Sequence, residues 1–294
     1  MSKDRVRGNA GPVFLFIRTM QLCFPSASLD LGVARVMGIL NVTPDSFSDG
    51  GLYASRDAAL RRALEMVEEG ADIIDVGGES TRPGATPLGA AEEIDRVVPV
   101  IEAICGATSV PVSVDTSKPD VMRASVAAGA VMLNDVRALS LEGAVEAAAE
   151  LNLPVCLMHM QGEPGTMQAE PHYADVVSEV LNYLKERIAA CVAAGIKTSN
   201  IVIDPGFGFG KTLEHNLALF HALGEFVATG QPLLIGVSRK SMITKLLGDE
   251  SCDRVIGSVT LALAAARRGT HIVRVHDVRQ TVDALRIEAA VAGP

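Results

Sequence analysis

Eight short runs of β-branched and aliphatic residues, each followed by a longer stretch of helical period, constrain this chain more than any other feature. The runs are Arg35–Leu40, Ile73–Val76, Val112–Asp115, Val131–Asp135, Val155–Met158, Ile201–Asp204, Leu233–Val237 and Ile272–Val275. They lack polar alternation, as parallel strands covered by helices do. Between them Leu60, Ala63, Leu64 and Val67 recur at i, i+3, i+4, i+7, one face of a helix. Val177, Val180, Leu181, Leu184 and Ile188 do the same in what reads as the longest helix, and Val278, Val282, Leu285 and Ala289 in the last. Eight such alternations predict an α/β chain closed into a (β/α)8 TIM barrel, a fold that reaches about 250 residues as one domain. The rival, an open doubly wound sheet, would gather its chemistry at a single crevice.

The polar residues are not gathered that way. Asn41 follows the first run, Gly77, Gly78 and Glu79 the second, and Asp115 ends the third. Asn134 and Asp135 end the fourth, His159 follows the fifth, and Asp204 ends the sixth. Ser238, Arg239 and Lys240 follow the seventh, and Arg274 and His276 mark the eighth. The opposite turns, such as Asn152-Leu153-Pro154, carry no comparable set. All eight strands therefore deliver functional groups to the C-terminal rim, where barrels of this kind build active sites.

The chain has 294 residues, of which residues 1–19 read as a loosely ordered extension and residues 20–294 as the barrel. The apolar run Val13–Ile17 is shorter than the roughly 7–15 residues of a secretory core. No stretch approaches the ~18 apolar residues of a membrane span. A net charge of −9 argues against nucleic-acid or membrane partners, so an anionic ligand needs a local cluster of cations. Five scattered cysteines without a C-x-x-C pair read as reduced thiols of a cytoplasmic protein.

Pro205-Gly206-Phe207-Gly208-Phe209-Gly210-Lys211-Thr212 approximates a phosphate-binding P-loop, but proline stands where the first glycine is required. Its alternating glycines read instead as backbone passing close to a ligand. There is no paired-histidine metal motif and no G-x-S-x-G nucleophile elbow. Asp115, Asn134 and Asp204 suit a planar heterocycle, because an ionised carboxylate accepts the two parallel N–H bonds of an amino-imino edge. Arg239, Lys240, Arg274 and His276 supply cations for phosphate or carboxylate. The expected ligand has a flat nitrogenous end and an anionic end. A purely structural Asp204–Lys240 pair is the alternative use of those two residues.

Two loops rich in Gly, Pro and Ser, residues 41–51 and 77–85, resemble hinged lids. The segments Met37–Gly51 and Asp75–Gly84, which take in most of these loops, together with Ser113-Val114-Asp115-Thr116, Asn134-Asp135-Val136, residues 204–212, Ser238-Arg239-Lys240-Ser241 and Arg274-Val275-His276-Asp277-Val278, occur in an order that resembles the dihydropteroate synthase family of pterin-binding barrels. The resemblance runs from about residue 20 to the C-terminus. It implies condensation of a 6-hydroxymethyl-7,8-dihydropterin diphosphate with para-aminobenzoate in folate biosynthesis, with Mg2+ present, sulfonamide inhibition and a homodimer.

Residue by residue, it implies that Asp115, Asn134, Asp204 and Lys240 hold the pterin and that Arg274 stacks on its face. Asn41, Thr81, Arg274 and His276 would serve the diphosphate, with Asn41 at the metal. Phe47, Thr81, Pro83, Phe209 and Ser241 would shape the aminobenzoate pocket. Asp115, Lys240, Arg274 and His276 are the implied catalytic set. A methyl-carrying or non-catalytic pterin-binding barrel would keep Asp115, Asn134 and Asp204 without needing the Ser-Arg-Lys-Ser or Arg-Val-His segments or the two lids. A Schiff-base aldolase would use Lys240 as its nucleophile.

Overall fold

The computed structural model describes residues 20–43, 51–80, 87–163 and 165–292. The expected extension, residues 1–19, lies outside them. Eight parallel strands carry the molecule: β3 (Arg35–Asn41), β4 (Ile73–Gly77), β5 (Val112–Asp115), β6 (Met132–Asp135), β7 (Val155–Met158), β8 (Ile201–Asp204), β9 (Leu234–Ile235) and β10 (Ile272–Val275). Their spatial order is β8-β7-β6-β5-β4-β3-β10-β9. The ends meet through a parallel bridge between Ile203 and Leu233, where the Ile203 N–H donates to the Pro232 carbonyl at 2.9 Å. That bridge closes the barrel and leaves the sheet no open edge.

The strands depart from the sequence reading at the seventh strand and ahead of the barrel. The seventh strand shortens to Leu234–Ile235 with Leu233 as its bridge, against an expected Leu233–Val237. A hairpin, β1 (Gln21–Cys23) paired antiparallel with β2 (Ser28–Asp30), precedes the barrel.

Parity along the strands sorts two cores, because successive side chains of a strand point to opposite faces. Val36, Leu40, Ile74, Val76, Val112, Val114, Leu133, Val155 and Leu157 point outward into the layer shared with the helices. Met37, Ile73, Met132, Cys156, Val202, Leu234 and Ile272 point inward and fill the lower barrel. Leu22, Phe24 and Leu31, from and just beyond the hairpin, pack against that inner set and seal the floor.

The outer layer consists of α1 (Gly51–Glu69), α2 (Ala90–Ala107), α3 (Pro119–Ala127), α4 (Ala144–Leu151), α5 (Val176–Ala193), α6 (Leu213–His221), α7 (Leu223–Val227), α8 (Ser241–Leu247), α9 (Arg254–Ala266) and α10 (Val278–Ala292). The longest is α1 with 19 residues, not α5 with 18. Helix starts follow local chemistry. The Asp175 carboxylate accepts the Val177 and Ser178 N–H groups at the head of α5, and Thr212 with His215 forms a capping box on α6. Two helices each follow β8 and β9, so the simple one-helix-per-strand pattern fails in that quarter of the ring.

Candidate active site

Inward parity continues upward from the apolar floor and changes character: the next inward side chains are Asp75, Asp115, Asn134, Asp204 and Arg274. Register places Asp115 directly across from Gly77 and Asn134, and Asp204 across from Met158. A Cβ on Gly77 would stand 3.4 Å from the Asp115 Cβ and 3.8 Å from Asn41 Oδ1, ordinary contact distances, so this position borders both side chains.

One guanidinium ties the centre together. Arg274 Nε donates to Asp75 Oδ2 at 2.6 Å, and its Nη2 donates to Asp115 Oδ2 at 2.7 Å. Asn134 Nδ2 also donates to Asp75 Oδ2, at 3.0 Å. Burial works against the charge on Arg274, but Asp75 and Asp115 outweigh it and hold the group above its ordinary value.

Burial raises Asp115 to about 7, with Arg274 pulling it back down and Asp75 pushing it up. Burial likewise raises Asp204 to about 6, against the pull of the Gly206 N–H, which donates to Asp204 Oδ1 at 2.7 Å, and of Lys240. Lys240 falls to about 8 through burial and the neighbouring Arg274. These carboxylates are therefore poised to accept N–H donors from a ligand that replaces their lost water.

The alternative of a structural Asp204–Lys240 ion pair is not formed among the described residues, and the two groups attract only at longer range. The Lys240 ammonium lies over the Phe209 ring instead, 4.1 Å from its centroid. Phe209 itself is buried against Val136, Met158 and Met167, with Met160 at the edge. Of this apolar wall, the sequence reading named only Phe209. Its signal was the methionines that flank His159 at the end of β7.

At the rim, His276 is not the cation the sequence reading expected. Burial, followed by the positive charges of Arg274 and Arg239, lowers it to about 4, so near neutrality it is an uncharged imidazole. Its Nδ1 lies 3.0 Å from Ser238 Oγ, and its backbone N–H donates to the same hydroxyl at 3.1 Å. Arg239 also departs from expectation. Its guanidinium spans Asp277, with Nε at 3.1 Å and Nη2 at 2.5 Å from the two carboxylate oxygens, so its charge is already engaged. A cavity of about 390 Å3 opens beside Asn41, His276 and Arg239, between α1 and α10. Ser241 is exposed and opens α8, immediately after Lys240. Phe47, Thr81 and Pro83 lie outside the described residues.

Other rim residues serve the scaffold. Asp135 points outward, where its carboxylate accepts the Ser117 hydroxyl and the N–H groups of Arg137 (2.8 Å) and Leu139 (2.7 Å). His159 sits behind the pocket, edge-on to Tyr183 at 5.0 Å between ring centroids, and Glu79 pairs with Lys118 at 2.7 Å.

The glycine-rich loop 205–210 also has a protein reason. A Cβ on Gly206 would fall 1.9 Å from the His159 carbonyl oxygen, and one on Gly210 would fall 2.4 Å from that of Gln161. Lys211, which would bind phosphate in a true P-loop, is turned inward. Its buried Nζ donates to the carbonyls of Gly206 (2.9 Å) and Phe209 (3.0 Å), and lies 3.0 Å from His159 Nδ1. Two buried groups important to this arrangement, Asp75 and Lys211, had no role assigned from the sequence.

Among the described residues no cluster of three or more His, Cys, Asp or Glu side chains converges as a metal cage. Magnesium often uses few protein ligands and relies on substrate phosphates and water. The amide oxygen of Asn41, a hard donor beside the rim cavity, fits that mode.

The comparisons agree with this geometry. Residues 37–276 match the family model described as pterin binding enzyme. A dihydropteroate synthase of Escherichia coli strain K12 is 55% identical over 271 residues, covering 92% of this chain and 96% of that protein. The crystal structure of a Yersinia pestis dihydropteroate synthase in complex with a sulfonamide drug superposes with a TM-score of 0.88 at 51% identity, covering 93% of this chain and 100% of that one. A Xanthomonas albilineans dihydropteroate synthase bound to 7,8-dihydropteroate gives 0.85 at 48% identity, covering 93% and 99%. A barrel whose lumen holds three aspartates and an asparagine around one arginine, matched over nine-tenths of its length at this identity, belongs to the dihydropteroate synthase family of pterin-binding enzymes.

Proposed function

We propose that this member of the family makes dihydropteroate, joining the methylene carbon of a dihydropterin diphosphate to the amine of para-aminobenzoate and releasing pyrophosphate. The observation that carries this reading is that Asp115, Asn134 and Asp204 all face inward at the ends of their strands, with Arg274 bonded to Asp115 and Lys240 within electrostatic reach of Asp115 and Asp204. Ionised carboxylates there accept the N–H edge of the pterin, while Asn134 can both donate and accept. Arg274 lies over the ring and extends charge toward the diphosphate.

The C–O bond to the diphosphate breaks first, and its electron pair departs with the pyrophosphate. Arg274 and an N–H of neutral His276 meet the charge that builds on the leaving oxygens, as donors already in place. Asn41 would hold magnesium, which when bound would neutralise part of the same charge. The methylene cation left on the pterin is delocalised into the ring, and the ionised Asp115 favours it electrostatically. The arylamine lone pair then forms the C–N bond, and the surplus proton on that nitrogen passes to the released pyrophosphate. The amine is a weak base and is already neutral near pH 7, so no strong general base is needed.

Phe209 contributes an apolar wall for the aminobenzoate ring, and the amino end of α8 at Ser241 would receive its carboxylate. Thr81, Phe47 and Pro83 complete that pocket in this reading. We place the reaction in the cytoplasm, in keeping with five unpaired cysteines. We further propose a homodimer, which would cover exposed Leu247 and Ile256 on neighbouring α8 and α9.

Mixing 6-hydroxymethyl-7,8-dihydropterin diphosphate, para-aminobenzoate and Mg2+ should release pyrophosphate, and a sulfonamide should suppress it competitively with aminobenzoate. No release, or release indifferent to aminobenzoate, would refute the assignment.

A further inference from the structure

The carboxylate proposed to grip the pterin is not free. Asp115 Oδ2 is taken by Arg274 Nη2 at 2.7 Å, so the arginine bridges the place where the heterocycle must bind. Arg274 has a second anchor. Its Nε donates to Asp75 Oδ2 at 2.6 Å, and Asp75 is fully buried (0% exposed), out of reach of any ligand. Asn134 Nδ2 holds the same Asp75 oxygen at 3.0 Å, and Asp75 Oδ1 has no hydrogen-bond partner among the described residues.

We propose that Asp75 is a positioning residue, the fixed pivot on which Arg274 turns away from Asp115 when the pterin enters. This rests on the reading that Asp115 accepts the pterin's N–H edge. The two carboxylates hold different nitrogens of one guanidinium. Rotation about the Nε–H···Oδ2 axis to Asp75 therefore carries Nη2 off Asp115 while the other bond survives. The arginine stays neutralised by a buried counter-ion throughout, so its charge is not stranded during the exchange. Only the aspartate nearer the pocket mouth is surrendered, and the pterin's donors replace the Nη2 hydrogen on it. The freed Nη2 then faces the ring and the diphosphate. Without Asp75, Arg274 and Asp115 would be each other's sole partners, and the substrate would have to break that pair outright. Asn134 ties the pivot to the pterin pocket, because its own amide is oriented by Asp75.

The test is a double-mutant cycle on pterin binding, with 6-hydroxymethylpterin titrated calorimetrically into wild type, Asp75→Asn, Asp115→Asn and the double variant, and both KM values measured for each. Asp75→Asn should weaken pterin binding by about 10- to 100-fold, the scale of one charge-assisted hydrogen bond. It should leave the aminobenzoate KM within about twofold of wild type, a spread that corresponds to less than one weak contact. In the Asp115→Asn background the same change should have almost no effect on pterin affinity, because no pair remains to be broken. Equal effects of Asp75→Asn in both backgrounds, or parallel rises in both KM values, would overturn the pivot. Unchanged pterin affinity in Asp115→Asn alone would instead refute the pocket reading beneath it.

Should Asp75→Asn fail to fold, a wild-type crystal with 6-hydroxymethylpterin gives a variant-free answer. Arg274 should remain bonded to Asp75 and be parted from Asp115. An arginine still bridging both carboxylates, or parted from Asp75, would defeat the proposal.

Discussion

Replacing Asp204 by Asn should stabilise the empty protein and weaken its grip on pterin at the same time. Asp204 is almost fully buried at the end of β8, and burial holds its carboxyl at about 6 in place of its ordinary 3.8. Because the folded value lies above the unfolded one, the stability contributed by this group is complete below pH 3.8. It drains away as the pH rises through 6. Keeping the carboxylate charged at neutral pH therefore costs the folded state about 3 kcal/mol.

Asparagine removes that penalty, while its amide oxygen can still accept the Gly206 N–H now bound at 2.7 Å. The gain over wild type should be about 1 kcal/mol near pH 4.5 and about 3 kcal/mol above pH 7, the growth following the wild-type titration. Urea denaturation at these two pH values measures it. Meanwhile one acceptor facing the pterin becomes a donor. That forfeits a charge-assisted hydrogen bond worth about 1.5–3 kcal/mol, or roughly 10- to 150-fold in affinity by calorimetry. A variant less stable than wild type at both pH values, or one that binds pterin as tightly, would refute the electrostatic reasoning.

Three other outcomes are expected. Gly206→Ala combines left-handed strain at φ +70° with a Cβ placed 1.9 Å from a carbonyl oxygen, and should lose about 2–5 kcal/mol of stability by denaturant titration. Burial lowers Lys211 to about 7 from 10.5. The folded state therefore binds fewer protons than the unfolded chain above pH 7, and wild-type stability should rise between about pH 7 and about pH 9 more steeply than that of Lys211→Met. Ser241→Ala should raise the aminobenzoate KM more than the pterin KM in steady-state assays, and the reverse would contradict its placement at the head of α8.

The barrel was legible because hydrophobic runs of the right length leave few alternatives, and because strand ends announced themselves by Asp115, Asn134 and Asp204. Asp75 was hidden by the same logic. It lies inside Ile73-Ile74-Asp75-Val76, where one carboxylate among β-branched residues looks like an interruption, and only closure of the barrel reveals Arg274, 199 positions further along, beside it. The hairpin escaped because Gln21–Cys23 and Ser28–Asp30 are three residues each, too short for alternation to register. Lys211 was weighed only as a phosphate ligand. Nothing local shows that the loop curls its own carbonyls around the ammonium. Arg239 and His276 looked like free cations because their counterparts, Asp277 and a crowd of like charges, are assembled by tertiary structure.

The sealed floor has a consequence for traffic and for engineering. With Leu22, Phe24 and Leu31 stopping the lower end, substrates and products share one doorway, so the order of binding and release must be settled at that single mouth. Met20 packs against the stopper, so a label attached to that residue would stand at the pole away from the chemistry.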